Sequence, residues 1–226
     1  MSENWNPVIP SDLRRNLEQQ KEQAFTLYLD FIVDGTASMY TIFPAVYYAA
    51  SHFLECLSRY EVYPKVGLTI IRNEKMGEET ELTEFEDRSY FTSEIPLFLK
   101  KLKAVSLYGG GLDGKESVHT AIGKSLKKFP VAGRNRAVFV FSDAYGSNDY
   151  ESYIQYPVGQ AVFFTTEELS EEDFPFCFIR ADGEMDEEAS PMFLSIEKLL
   201  KPMSTEFLDN IVKPLKDLMK GVSIGA

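Results

Sequence analysis

The sequence is short of the residues that ligate or cross-link through sulfur and imidazole. It holds two cysteines, Cys56 and Cys177, and two histidines, His52 and His119, in 226 residues. Both cysteines sit in apolar surroundings (Leu54-Glu55-Cys56-Leu57 and Phe176-Cys177-Phe178), which reads as buried free thiols. A disulfide framework and a zinc-type cysteine spacing are therefore excluded, and two histidines do not make a histidine metal cluster. Both histidines read as helix-surface residues. Positive charge is also scarce: 23 basic residues face 35 acidic ones, a formal charge of −12. A surface this acidic repels phosphate, so no nucleic acid and no membrane are expected as partners, whereas cations and basic partners suit it. No apolar run is long enough to cross a bilayer. The first residues are polar, contain Pro7 and Pro10, and form no secretory signal. Together these absences point to the cytoplasm.

What is present is core material. Hydrophobic residues make up 44% of the chain and aromatics 13%, enough for one large α/β domain. The expected division is a polar N-terminal extension, 1–23, and one domain, 24–220. Within the extension, 1–10 reads as an unstructured lead-in. Residues 11–23 are charged and helix-prone without an apolar stripe, as in a surface helix or a tail.

From residue 25 the pattern changes. The apolar run 25–33 predicts a mostly buried strand, ending abruptly at Asp34-Gly35-Thr36-Ala37-Ser38. Phe43, Val46, Tyr47, Ala50, Phe53, Leu54 and Leu57 then recur at helical spacing. Residues 65–72 predict a second strand, 73–79 a charged turn holding Gly77, and 81–85 an alternating, exposed edge strand that pairs antiparallel with it. Helices are expected at 95–102, at about 114–128, and at about 205–219, where Pro214 should kink the last one. Further strands are expected at 137–141, 161–164 and 176–179. The alternation predicts an α/β fold: a doubly wound, mostly parallel central sheet with one antiparallel edge strand and helices on both faces.

Two buried strands end in aspartate, at Val33-Asp34 and at Ser142-Asp143. In a doubly wound sheet, ligands bind beyond the carboxyl ends of strands where successive connections part. If those strands are neighbours, both carboxylates face one crevice beside the hydroxyls of Thr36 and Ser38. Oxygen-only donors select magnesium, manganese or calcium over zinc or copper.

Asp34-Gly35-Thr36-Ala37-Ser38-Met39 resembles the Asp-x-Ser/Thr-x-Ser-Met motif of von Willebrand factor A (vWA) domains. Phe139-Val140-Phe141-Ser142-Asp143-Ala144 resembles the strand that carries that family's last metal aspartate. Gly109-Gly110-Gly111-Leu112-Asp113 is similar to the glycine loop of the hemicentin-like branch. The resemblance runs over about residues 25–215. It implies a vWA, Rossmann-like fold with a metal-ion-dependent adhesion site (MIDAS): Asp34, Thr36, Ser38, Asp113 and Asp143 hold Mg2+ (or Mn2+ or Ca2+), with Ser106 and Ser117 as alternative ligands. It also implies no catalysis, but a grip on a protein partner through an Asp or Glu carboxylate, with Tyr40, Gly110, Gly111 and Tyr145 as the contact rim. Asp113 departs from the threonine that many members place there. Bound directly, it would add a third carboxylate, tightening the metal and weakening the pull on a partner.

Plainer roles stand beside these. Asp34 and Asp143 are also ordinary strand-end turn residues, Ser38 also a helix cap, and Asp113 with Glu116 also a capping pair. Two enzyme readings meet single-residue obstacles. Val33-Asp34-Gly35-Thr36 resembles part of a phosphatase motif, but the position two residues before Asp34 holds Ile32, which cannot attack phosphorus. Gly109 to Lys115 resembles part of a phosphate-binding loop, but Glu116 stands where a magnesium-binding hydroxyl belongs. A magnesium-dependent phosphotransfer enzyme using Asp34, and a vWA scaffold with a vestigial site, remain the alternatives.

Overall fold

The computed structural model describes residues 26–86, 88–110, 115–130, 135–143, 145–146, 156–166, 174, 176–180 and 184–220, with backbone alone at 75, 115, 116, 145, 146 and 220. The expected N-terminal lead-in and surface helix lie outside these residues.

Six strands form one sheet in the order β3-β2-β1-β5-β7-β8. They are β1 (Tyr28–Asp34), β2 (Lys65–Ile71), β3 (Glu81–Leu82), β5 (Arg136–Phe141), β7 (Gln160–Thr165) and β8 (Met192–Ser195). All neighbours run parallel except β2 and β3, which pair antiparallel through Thr69–Leu82 and Ile70–Glu81. A separate two-stranded piece joins β4 (Lys115–Glu116) to β6 (Tyr145–Gly146). The helices are α1 (Phe43–Arg59), α2 (Ile95–Lys103), α3 (Val118–Leu126) and α4 (Thr205–Lys220).

Every residue of β1, β5 and β7 is buried, as central parallel strands covered on both faces require. Leu29, Phe31 and Val33 point to one layer, with Val46, Phe53, Phe98 and Leu215 from α1, α2 and α4. Tyr28 and Ile32 point to the other, with Val118, Ile122 and Leu126 of α3. The doubly wound architecture is thus the predicted one. Pro44 falls in the first turn of α1, where a missing N–H costs nothing, and Pro214 lies inside α4. Among the described residues, no helix is long and apolar enough to cross a membrane.

The structure corrects several expectations. Helix α3 begins at Val118, not near 114, because Lys115 and Glu116 are drawn into pairing with Tyr145 and Gly146. Residues 176–179 form no strand. β8 pairs along the free edge of β7, leaving Phe178 and Ile179 with single bridges to Val158 and Met185. His119 is not on the surface. It is buried, and its ring stacks on Phe174 with centroids 4.6 Å apart. Cys56 is buried but Cys177 only half-buried, and both are free thiols.

Candidate metal centre

β1 and β5 are adjacent from Tyr28 beside Arg136 to Val33 beside Phe141. Their carboxyl ends therefore open side by side. The connection after β1 leads through α1 to β2 on one flank, while β5 is followed by β7 on the other. The sheet's reversal of direction falls between the two aspartate-bearing strands.

The side chains at these ends form one hydrogen-bonded ring. Asp34 Oδ1 accepts from the Thr36 backbone N–H at 2.9 Å and from the Thr36 hydroxyl at 2.7 Å. Asp34 Oδ2 accepts from the Ser142 hydroxyl at 2.6 Å. The Ser38 hydroxyl donates to Asp143 Oδ1 at 3.0 Å, and the oxygens of Thr36 and Ser38 lie 3.0 Å apart. Asp34, Thr36 and Ser142 are buried, Asp143 is half-buried and Ser38 exposed. The ring is closed beneath and open to solvent on one side.

The crowding of oxygens gives this ring its chemistry. Thr36 and Ser38 own one hydroxyl proton each, and a carboxyl oxygen stands within reach of each hydroxyl. The two hydroxyl oxygens also lie within hydrogen-bond distance of each other, and either can donate, so both hydroxyls and both carboxyl groups crowd one point. Two carboxyl groups and two hydroxyl oxygens are the kind of oxygen-only donor set that suits a hard cation. Burial pushes the Asp34 carboxyl up from its usual range. The hydrogen bonds from Ser142 and Thr36 pull it back, and the nearby Asp143 charge adds to the rise. A cation would offset that cost directly. Among the described residues no three His, Cys, Asp or Glu side chains converge on one point. The candidate centre is therefore built as much from hydroxyls as from carboxylates.

The surrounding loops are tied together by Arg72, the first residue after β2. It is buried to 1% exposure. Its guanidinium donates to the carbonyls of Gly35 and, at 2.9 Å, Ser106. It also pairs with Glu81 at 2.7 Å and lies 4.0 Å from the centre of the Tyr108 ring. The Tyr108 N–H donates to the Gly35 carbonyl, and the Ala37 N–H to that of Gly109. Gly35 is needed here for closeness: a Cβ would overlap Ile70 Cγ2 and the Arg72 guanidinium. Gly109 and Gly110 adopt positive φ of 70° and 106°, backbone that favours glycine.

Of the residues expected at the site, Asp34, Thr36, Ser38 and Asp143 meet in the ring. Ser117 does not join it, because its hydroxyl accepts the Glu74 N–H at 3.1 Å. Ser106 is exposed and joins the neighbourhood through its carbonyl to Arg72. Ser38 caps no helix. The short 3-10 turn Ala37–Thr41 starts after Thr36 without a side-chain cap, and the Ser38 hydroxyl is committed to Asp143. Tyr40, two residues beyond Ser38, is 76% exposed. Asp113, Gly111 and the Tyr145 side chain lie outside the described residues. Two contributors were not singled out from sequence. Ser142 had a signal, a hydroxyl adjoining Asp143 at a strand end. Arg72 had a weaker one, a lone basic residue closing an apolar strand.

No family model matches the chain, and no curated protein sequence does. Solved structures do. One crystal form of proximal thread matrix protein 1 from the mussel byssus superposes with a TM-score of 0.55 at 8% identity. That match covers 84% of this chain and 48% of the other. A second structure of the same protein gives a TM-score of 0.45 at 12% identity, covering 85% of this chain and 47% of the other. The chain thus spans about half the length of that neighbour. The first likeness bears on the fold alone and supports a vWA-like, Rossmann-type α/β fold.

Proposed function

We propose that this chain is a metal-dependent protein-interaction module of the MIDAS type. Asp34, Thr36, Ser38 and Asp143 would hold one hard divalent cation, Mg2+ first and Mn2+ or Ca2+ as substitutes. Ser142 would fix the orientation of Asp34. The observation that carries this reading is the convergence of the Thr36 and Ser38 hydroxyls, 3.0 Å apart, each within hydrogen-bond distance of a carboxyl oxygen of Asp34 or Asp143. Such a site offers two carboxyl groups and two hydroxyls to a dication and opens to solvent at Ser38. A carboxylate from a protein partner is the natural further ligand, with exposed Tyr40 and the Gly109–Gly110 backbone as its rim. Catalysis by Asp34 is disfavoured on geometry. Its carboxylate is wholly buried and both oxygens already accept hydrogen bonds, so it is badly placed to attack phosphorus.

Calorimetric titration of the chain with magnesium and manganese tests the reading. Wild type should show saturable binding. Ser38→Ala, at an exposed position, should weaken it while leaving the fold intact, and Asp34→Asn should abolish it. An absence of heat with both metals, together with an unchanged melting temperature, would leave only a scaffold with a vestigial site.

A further inference from the structure

The oxygen ring opens into surroundings of two kinds. On the β2–β3 side they are acidic. The Glu78 carboxylate packs against Gly109, and Glu79 beside it is exposed. Glu81 holds Arg72 and accepts from the Tyr108 hydroxyl at 3.4 Å. On the α1–α2 side the surroundings are aromatic and basic. Tyr40 belongs to the turn that carries Ser38, and Tyr47 and Tyr48 follow in the first two turns of α1. Tyr48 is 62% exposed, and its ring meets that of Tyr47 edge-on with centroids 5.7 Å apart.

The last turn of α2 reaches the same place. Lys103 Nζ stands 6.0 Å from the centre of the Tyr47 ring. The chain then runs on to Tyr108, whose N–H donates to the Gly35 carbonyl at 3.1 Å, so α2 ends at the ring's end of the sheet. Lys100, one turn before Lys103, is exposed as Lys103 is. Among the described residues, no carboxylate pairs with either lysine.

In a chain with a formal charge of −12, two unpaired lysines beside exposed rings reverse the local sign. Such lysines attract a carboxylate over about a Debye length, ~8–10 Å, while the acidic β2–β3 side repels it. The field therefore selects a direction of approach as well as a sign. Exposed tyrosines offer large contact area at low rotamer cost, as interface anchors do. A polyanion charged along its whole length would meet the acidic side and the net charge. A short acidic protein segment meets only the basic flank.

We propose that the partner of the metal site presents an acidic protein segment that crosses the Tyr40–Tyr48 surface towards the end of α2. One of its carboxylates completes the shell of the cation, and a later one meets Lys100 and Lys103. This names the partner's chemistry and rests on the metal-dependent reading above.

Fluorescence anisotropy with a labelled peptide of alternating glutamate and tyrosine tests it. Wild type should bind the peptide in magnesium, lose it in chelator, and ignore the counterpart with glutamine for glutamate. Lys100→Glu with Lys103→Glu should weaken capture about tenfold, as loss and reversal of two exposed pairs would. Tyr48→Ser should weaken it several-fold. All three positions are exposed, and calorimetric magnesium titration of these variants should be no weaker than that of wild type. Magnesium binding without peptide capture, or capture that the charge reversal leaves unmoved, overturns the proposal while the metal reading stands. Capture that survives chelator overturns the joint grip, and absent magnesium heat removes the metal reading itself. Tighter capture of a labelled single-stranded oligonucleotide also overturns it, and assigns the flank to nucleic acid.

Discussion

Asp30 sits four residues before Asp34 on the same face of β1, and its position is purely interior. It is wholly buried, and one oxygen accepts three side-chain hydrogen bonds: from Thr69 at 2.9 Å, from Tyr90 at 2.6 Å and from Ser125. The other oxygen has no partner and lies against Gly67, where a Cβ would come within 2.6 Å of it. Burial pushes this carboxyl up to about 6 from 3.8, against the pull of the three hydroxyls. The folded state therefore holds the proton more tightly than the unfolded one. Its contribution to stability is fully present below pH ~4 and is lost as pH rises through about 6, a change of about 3 kcal/mol at ~1.4 kcal/mol per pH unit. Urea unfolding of wild type should show this decline between pH 4 and 6.5, and Asp30→Asn should lack that part of it. Parallel profiles for the two proteins would show that Asp30 does not titrate in that window. Sequence gave no hint of this group. It lies inside an apolar run, and its partners are 39, 60 and 95 residues away.

Arg72 acts on a larger unit, because it joins the end of β2 to the turn after β1 and to the loop at Ser106–Gly109. Two of its acceptors are backbone carbonyls, the buried one of Gly35 and that of Ser106, and its Glu81 partner is half exposed. Replacing it by methionine keeps the apolar stem and removes every donor. Arg72→Met should cost about 2–4 kcal/mol, mostly from unpaired buried groups, and should weaken metal binding although Arg72 touches no ligand oxygen. Chemical denaturation measures the first effect and metal titration the second. A stability loss without any change in metal affinity would mean that the stitch supports the fold and not the ring. Gly35→Ala should act in the same direction for a steric reason, by about 1–3 kcal/mol. At this scale much was legible. Largely apolar runs marked β1, β2, β5 and β7, and the helical spacing of Val46, Ala50, Phe53 and Leu57 marked α1. The failures have local causes. β8 is only half-buried along Met192–Leu194 and exposed at Ser195, so it carries no clear period. Phe176–Ile179 looks like a strand by composition, but the edge it needs is taken. His119 reads as polar, yet a flat imidazole packs on Phe174 as an aromatic ring does.

Across the whole molecule, the sequence showed which residue types could hold a cation but not that they would meet. Ser38 and Asp143 are 105 residues apart, and only the adjacency of β1 and β5 brings them to 3.0 Å. Because folding creates that ring, a cation bound there binds the native state and not the unfolded chain. Its affinity must then appear as stability, about 2.7 kcal/mol at a hundredfold excess over the dissociation constant. A chain with a formal charge of −12 complicates the measurement, since any added salt relieves self-repulsion. The decisive comparison is magnesium chloride against sodium chloride at matched ionic strength. Wild type should gain melting temperature with magnesium beyond the sodium control, and Asp34→Asn should show equal responses to the two salts. Asp34→Asn also removes a charge whose burial is costly, so its metal-free stability should equal or exceed that of wild type. The opposite result would assign Asp34 a structural role that the metal reading does not require. An equal response of wild type to both salts would reduce the ring to a set of strand-end hydrogen bonds.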